Sequence, residues 1–336
     1  MLWCAAALAL SPIPGGLLVD HCPLRFRFPE AAALQAAWRG NNAPRSNVLL
    51  LGSSRMLSFT KYGDLAGVAR RLTGDDSLQV FNASIIAGDP ITIEFLTSKL
   101  LAVGGAPRLA VMEMNPDLLA RRNLFFPLII NRELVAADLP DSIHDILFTS
   151  SKNIPPLASS RLIPFYRHRA ILLDWAATSA FDAAPAVPTT PASAPALSGT
   201  LPAPMPDNAL NVPLAERIQR GAIFYGGNMR HYDLGGFTSE SFERAVAMLS
   251  SRGCRVALVE TPLTTPLRAM ITPDVQVQFA AYVQRLENNY GCIFVDLSDR
   301  LPDTDFVDVH HASIDGSREF CQILAREIIA PAWSKR

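Results

Sequence analysis

Runs of apolar residues recur along the chain, and small or polar residues end each of them. Five of these runs have the length and composition of strands that are buried on both faces of a sheet: Asn47–Leu51, Gln79–Phe81, Leu109–Met114, Arg255–Glu260 and Cys292–Leu297. The first run ends in Gly52-Ser53-Ser54 and the third in Asn115-Pro116, and both sequences are typical of turns. The pattern therefore predicts five strands.

Apolar residues recur at helical spacing between these strands, over residues 90–103, 238–252, 274–290 and 314–329. Strands that alternate with helices favour a parallel sheet with right-handed crossover connections. We therefore predict an α/β fold. In such a sheet the carboxyl ends of the strands share one edge, and this edge is where binding and catalytic sites form.

A long insertion interrupts the alternation between the third and fourth strands, over residues 117–250. Its first part, residues 117–181, contains apolar, aromatic and basic residues, and we expect it to be mostly helical. Residues 183–206 consist almost wholly of Ala, Pro, Ser and Thr. Because this composition cannot build a core, we predict an extended, exposed loop there.

The first 19 residues carry no charge and resemble the apolar region of a signal peptide or part of a membrane anchor. Pro12, Pro14, Gly15 and Gly16 interrupt the apolar run, whereas a membrane-spanning helix needs about 20 uninterrupted residues. We expect a periplasmic or otherwise exported protein, with an N-terminal anchor or a cleaved leader. A buried cytoplasmic start is the alternative.

The composition of the chain excludes some classes of binding partner. Of 336 residues, 49% are hydrophobic, which is enough for a large core. The net charge is −1 and the basic residues are not clustered, so the chain lacks the basic footprint of a nucleic-acid-binding protein. The five cysteines have no spacing typical of a metal site. We expect no metal, no cofactor and no nucleic-acid partner.

Two segments at the predicted strand ends carry candidate chemistry. Ser54 follows the first strand in a turn that begins with Gly52, although such a turn often serves only to cap a helix. Asp308 precedes His311 by three residues, just before the last helix. A carboxylate at this spacing can accept the Nδ1–H of the histidine, whose Nε2 is then free to take a proton from a serine. Gly316 would let the chain turn into the last helix.

His310 and Asp305 are the competing residues in this segment, but His310 lacks the same spacing to Asp308. A second Asp-x-x-His, Asp141 to His144, lies within the insertion and is better explained as a helix face. His168 is expected to lie on the surface or in a groove.

Gly-x-Ser after the first strand and Asp-x-x-His before the last helix resemble the SGNH/GDSL hydrolase family. Gly88 and Asn115 occupy the positions of that family's second and third motif blocks. The resemblance implies a flavodoxin-like three-layer α/β/α domain over residues 47–330, with a five-stranded, mainly parallel sheet that carries the insertion. It also implies that Ser54 is the nucleophile, with His311 as general base and Asp308 as its orienting acid.

By the same resemblance, the backbone N–H groups of Ser54 and Gly88 and the side chain of Asn115 would form an oxyanion hole. The chain departs from the family pattern at three positions. Ser53 replaces an aspartate, Glu113 a glycine and Pro116 an aspartate. The pattern is most similar to the exopolysaccharide-associated branch, which includes alginate O-acetylation proteins and accessory proteins of bacterial cellulose synthesis.

Other residues are candidates for contact with the substrate. Arg55 follows the nucleophile and would steer a carbonyl or anionic group, or else pair with a neighbouring acid. Tyr225, Asn228 and His231 lie in a glycine-containing segment that could line a sugar cleft, although a plain loop is the simpler interpretation.

The expected function is a serine esterase that removes acyl groups, in particular acetyl groups, from an exopolysaccharide. The expected partner is an acylated polysaccharide or another small ester, together with a polysaccharide synthesis or secretion complex. An O-acetyltransferase would use the same triad, because the two reactions differ only in the acceptor that reaches the acyl-enzyme. A non-catalytic glycan-binding or scaffold subunit is the third alternative, and a cytoplasmic lipase-like enzyme with an apolar cleft is a further one.

Overall fold

A computed structural model describes residues 23–40, 46–121, 212–230 and 232–334. Its five strands form one sheet in which every pair is parallel, in the order β2-β1-β3-β4-β5. The strands are β1 Asn47–Leu51, β2 Gln79–Asn82, β3 Leu109–Glu113, β4 Arg255–Glu260 and β5 Ile293–Asp296. They coincide with the five apolar runs to within one or two residues, and the α/β fold is confirmed.

The helices connect the strands as the periodicity indicates. In chain order they are α1 Leu24–Arg27, α2 Pro29–Arg39, α3 Ser54–Thr60, α4 Leu65–Thr73, α5 Pro90–Val103, α6 Pro116–Leu119, α7 Leu214–Tyr225, α8 Phe237–Ser250, α9 Thr265–Arg268, α10 Pro273–Tyr290, α11 Ile314–Leu324 and α12 Ala330–Ser334. A π-helical segment, Ala325–Ile329, joins α11 to α12. Three-residue and four-residue 3₁₀ segments occupy Asp303–Asp305 and Gly226–Met229.

The sheet is covered on both faces, which makes three layers. Strands β1, β3 and β4 are buried along almost their whole length. On one face, α3, α4 and α11 pack against side chains of these strands such as Val48, Leu50 and Val111. On the other face, α5 packs on α8, which in turn contacts β4 and α10. Burial on both faces explains why these strands are continuous apolar runs rather than alternating ones.

The strand order also positions the site. The chain leaves β1 to form β2 on one side and then returns to form β3 on the other side of β1. In open α/β sheets, the crevice outside the carboxyl ends of the strands at such a reversal is the usual place for a ligand. Here that place lies between the turn after β1 and the turn after β3.

The chain divides into two compact units, residues 1–37 with 126–203, and residues 38–125 with 204–336. The described part of the first unit consists of α1 and most of α2, while the second unit contains the whole sheet. The predicted leader (residues 1–19), most of the insertion and its Ala/Pro-rich part (residues 183–206) lie outside the described residues. Among the described helices, none combines the length and the hydropathy that a membrane crossing needs.

Candidate active site

The turn between β1 and α3 places a serine hydroxyl at the carboxyl edge of the sheet. Ser54 is the first residue of α3, and Ser53 caps the helix by accepting the N–H of Arg55 on its Oγ at 3.1 Å. A Cβ added to Gly52 would lie only 2.6 Å from Oε2 of Glu113. Glycine is therefore required at this position because a buried carboxylate approaches the backbone of the turn.

Ser54, His311 and Asp308 form a continuous chain of hydrogen bonds. The Nε2 atom of His311 lies 2.9 Å from Oγ of Ser54, and its Nδ1 atom lies 2.7 Å from Oδ2 of Asp308. With the ring proton on Nδ1, the imidazole donates to Asp308 and accepts the hydroxyl proton of Ser54. This arrangement can deprotonate the hydroxyl while the carboxylate stabilises the imidazolium that results. The structure thus brings together the three residues that the sequence analysis assigned to a triad.

The Asp308 carboxylate is held from both sides. While Oδ2 binds the His311 ring, Oδ1 accepts the backbone N–H groups of His310 at 3.0 Å and His311 at 2.9 Å. Burial by itself raises the pKa of this carboxyl, but the hydrogen bond from the His311 ring and the electrostatic interaction with that ring outweigh burial and hold the pKa well below its usual range. Asp308 is therefore an anion at neutral pH, as an orienting acid must be.

The loop that carries His311 is tied directly to the nucleophile helix. The backbone N–H of Ala312 donates to Oγ of Ser58, one turn after Ser54, at 3.1 Å. Within the loop, the N–H of Val307 donates to the carbonyl oxygen of His311 at 2.9 Å. These bonds fix the distance between the histidine and the serine without any contribution from the triad itself.

Gly316 has a different role from the expected one. It lies in the first turn of α11, where Ser313 caps the helix by accepting the Gly316 N–H at 3.1 Å. A Cβ at this position would overlap the backbone oxygen of Asp305. The glycine is needed because α11 passes close to the preceding loop, and not because the chain turns there.

His310, the competing histidine, lies behind the triad. Its ring is 2% exposed and packs edge-to-face between Tyr225, at 4.4 Å between ring centroids, and His311, at 4.3 Å. Burial lowers its pKa well below the ordinary value, and the positive charge of Arg55 adds to this effect. His310 is therefore neutral, and it supports the catalytic ring sterically rather than by taking a proton.

Arg55 does not face a substrate. Its side chain is buried, and its guanidinium donates to both carboxylate oxygens of Asp117, with Nη1 to Oδ1 at 2.9 Å. Although burial lowers the pKa of a guanidinium, the Asp117 charge raises that of Arg55 overall, so the group remains a cation. A buried cation needs such a partner. The structure shows Arg55 paired with a neighbouring acid, which is the alternative that the sequence left open, and it lends no support to a steering role.

Two of the three predicted oxyanion donors, Gly88 and Asn115, already donate hydrogen bonds within the protein. Gly88 lies directly against the nucleophile turn, since a Cβ there would be 2.7 Å from the carbonyl oxygen of Gly52, but its N–H donates to Ile85 at 3.0 Å. The fully buried amide of Asn115 donates one N–H to the Thr261 carbonyl at 3.1 Å and accepts the Thr261 hydroxyl at 2.8 Å. Asn115 is thus bound to the end of β4, because a buried amide must satisfy its own polar atoms.

Of the predicted substrate-contacting residues, Tyr225 is the one that the structure brings to the triad. It ends α7 with its ring half-buried against His310, and the neighbouring Phe224 is exposed. Asn228 lies in the 3₁₀ segment Gly226–Met229, and its side chain is outside the described part of the chain, as is the whole of His231.

Asp308, His310 and His311 are also the one group of described residues with ligand atoms close enough to one another to hold a metal ion. The Asp308 oxygen nearest His311 already accepts the Nδ1–H of that ring. Because Nε2 points away from Nδ1 across the ring, one metal ion could not bind both Nε2 and this oxygen without breaking the Asp308–His311 hydrogen bond. The cluster therefore fits a triad better than a metal centre.

Sequence reasoning missed several buried acids around the nucleophile. Glu113 bonds to Ser53, Asp117 binds Arg55, and Glu260 ends β4 at 7% exposure. Burial, together with the charges of Asp296 and Asp117, raises the pKa of Glu260 to about 8. Glu113 and Glu260 end buried strands, and this position was the available signal, because a charged residue there must have a partner.

Comparison with protein-family models finds no match for the chain, and a search of curated proteins finds no similar sequence.

Proposed function

We propose that this protein is a serine-dependent esterase that cleaves acyl esters of a carbohydrate, with Ser54 as the nucleophile. The observation that carries the proposal is the hydrogen-bond chain from Ser54 through His311 to Asp308. The strand ends that hold it and the low pKa of Asp308 support the same conclusion.

The reaction follows from the orientation of the three groups. His311 Nε2 takes the hydroxyl proton of Ser54 as Oγ attacks the ester carbonyl, and Asp308 stabilises the imidazolium. The imidazolium then gives its proton to the departing sugar oxygen as the ester bond breaks, which leaves an acyl-enzyme. His311 next deprotonates a water molecule, which attacks the acyl group and releases Ser54 as a free hydroxyl and the acyl group as a carboxylic acid.

The negative charge that develops on the carbonyl oxygen requires donors at the same edge of the sheet. By the resemblance of the motifs, the N–H groups of Ser54 and Gly88 would supply them. In the structure the Gly88 N–H donates to Ile85 within its own turn, and Ala87 beside it has a positive φ of 52°. For Gly88 to act as a donor, binding of an ester would have to draw its N–H from Ile85 to the oxyanion.

A carbohydrate substrate is supported by the aromatic groups beside the triad and by the resemblance of the motifs to exopolysaccharide enzymes. Tyr225 and Phe224, whose ring centroids are 5.1 Å apart, form an aromatic rim next to His310. Aromatic rings of this kind can present a face or an edge to a sugar ring.

The direct test is hydrolysis of an activated acetyl ester by the wild-type protein and by Ser54→Ala. We expect the variant to lose activity by a factor of about 10⁴ or more while keeping the fold, because the triad acts as one unit. The matched control is Ser251→Ala, which removes an exposed hydroxyl that donates to the Met248 carbonyl just before the amino end of β4, and it should keep most of the activity. Equal turnover by wild type and Ser54→Ala would contradict the assignment.

The acceptor is decided by a second experiment, in which acetylated and non-acetylated glycans are incubated with the protein and weighed by mass spectrometry. Loss of acetyl mass from the acetylated glycan supports hydrolysis. Gain of acetyl mass by the second glycan in the presence of an acetyl donor shows a transferase that uses the same triad. No change in either, together with glycan binding, indicates a non-catalytic subunit.

A further inference from the structure

The carboxylate of Glu113 holds the residue that precedes the nucleophile. Glu113 ends β3 and is 0% exposed. Its Oε2 accepts the backbone N–H of Ser53 at 2.7 Å, and the Ser53 hydroxyl lies 2.9 and 3.0 Å from its two oxygens. The same hydroxyl caps α3 through the N–H of Arg55. One carboxylate thus controls both polar groups of the residue next to Ser54.

This carboxylate is not needed to neutralise Arg55. The guanidinium hydrogen-bonds to Asp117, whereas its closest approach to Glu113 is 4.0 Å. Two buried carboxylates therefore share one cation, an arrangement that contributes little or nothing to folding stability. Ser53 could be satisfied by a neutral acceptor at lower desolvation cost. Burial raises the pKa of Glu113, and the placing of a carboxyl group here in spite of that cost points to the geometry of the turn rather than to stability.

We propose that Glu113 is a positioning residue for the nucleophile. Through its hydrogen bonds to the N–H and the hydroxyl of Ser53, Glu113 sets the orientation of Ser54 relative to His311. This inference rests on the proposed function of Ser54. Gly52 contributes to the same arrangement, because a side chain at this position would overlap the Glu113 carboxylate.

The physical reason is that Ser53, which Glu113 holds, directly precedes the residue that carries the reacting oxygen. Ser53 has extended backbone angles, with φ −97° and ψ −165°, and α3 begins at the next residue. If the bonds to Glu113 are lost, Ser53 keeps only the bonds it makes within α3, from the Arg55 N–H to its hydroxyl and from the Leu57 N–H to its carbonyl. The start of α3 is then free to rotate. The 2.9 Å contact from Ser54 to His311 then lengthens. A displacement of about 1 Å at a reacting group can cost about 100-fold in rate.

The test uses Glu113→Gln in the full chain, with a serine-reactive fluorophosphonate as the probe. Glutamine has the same shape and keeps one oxygen that can accept the Ser53 N–H, but it replaces the oxygen 2.9 Å from the Ser53 hydroxyl by an NH₂ donor, so the hydroxyl loses the nearer of its two acceptors. We expect the labelling rate constant of Ser54 at saturating probe to fall about 10- to 100-fold, with the half-saturating probe concentration changed less than about twofold. Rates are taken on the folded protein, so that a loss of stability alone lowers the labelled amount and not the rate.

The matched control is Glu243→Gln, which changes another glutamate that accepts two hydrogen bonds, from Arg285 at 2.9 Å and Tyr290 at 3.1 Å, on α8. It should label at the wild-type rate. Ser53→Ala removes the other half of the contact, and it decides the question alone if Glu113→Gln does not fold. Its rate should fall as well, and the loss in the double variant should be smaller than the product of the two single losses.

The outcomes separate the two proposals. If wild type is labelled at Ser54 and the folded Glu113→Gln and Ser53→Ala variants are labelled at the wild-type rate, the positioning role is overturned while the nucleophile stands. If wild type is not labelled and Ser54→Ala does not alter ester turnover, the proposed function fails instead. A fall in rate confined to the Glu113 and Ser53 variants supports the inference.

Discussion

Replacing Glu260 by glutamine should change the way in which the stability of this protein depends on pH. The carboxyl is 7% exposed, and its burial, followed by the charges of Asp296 and Asp117, raises its pKa from 4.5 to about 8. Arg55 acts in the opposite direction but does not compensate. In the unfolded chain the carboxyl ionises near its ordinary value, so between pH 4.5 and 8 the folded state holds more protons than the unfolded state.

The direction of the pH dependence follows from this difference in bound protons. Because the folded state binds the extra proton, the contribution of Glu260 to stability is fully present below pH 4.5 and is lost as the pH rises through 8. At about 1.36 kcal/mol for each unit of pKa, the loss is roughly 1 kcal/mol at pH 5, roughly 3 at pH 7 and roughly 5 at pH 9. Glu260→Gln keeps the shape of the neutral acid and cannot ionise, so it should avoid this loss.

The assay is urea unfolding of wild type and Glu260→Gln at intervals from pH 5 to pH 9. The difference in unfolding free energy should grow in favour of the variant by about 4 kcal/mol across this range. All other titrating groups are shared by the two proteins and largely cancel in the difference. Glu216→Gln, at an exposed ion pair with Arg220, is the matched control and should change stability by less than about 1 kcal/mol. A difference between wild type and Glu260→Gln that stays constant within about 1 kcal/mol would refute the reasoning.

Three further changes test other parts of the site. Asp308→Asn should lower kcat for an activated ester by about 10⁴-fold, because the amide favours the wrong tautomer of His311. Circular dichroism checks that the variant is folded, and a loss of kcat below tenfold would contradict the triad. Arg55→Met should leave Asp117 buried without its cation and destabilise the protein by about 3–5 kcal/mol in urea unfolding. If the variant instead keeps its stability and changes only KM, Arg55 binds substrate. Gly316→Ala should lower Tm, by an amount equivalent to about 1–3 kcal/mol, because its Cβ overlaps the neighbouring loop; an unchanged Tm would show that the loop yields freely.

The sequence by itself determined the framework of this fold. Runs such as Asn47–Leu51 and Arg255–Glu260 are buried on both faces, so they must be continuously apolar and can be recognised without any partner. The helices between them follow their own periodicity. Since parallel strands bring their carboxyl ends to one edge, the sequence also brought Ser54 and His311 to the same side of the sheet.

Only the tertiary structure decided how the polar residues at that edge are used. Arg55 and Glu113 could have faced a substrate or each other, and their roles depend on Asp117 and Ser53, which lie about 60 residues away from their respective partners in the chain. Asn115 is hydrogen-bonded to Thr261, which directly follows a strand that is far away in sequence. The burial of apolar residues depends on a single segment and can be predicted from its periodicity. The pairing of buried polar groups depends on contacts between segments that are distant in sequence.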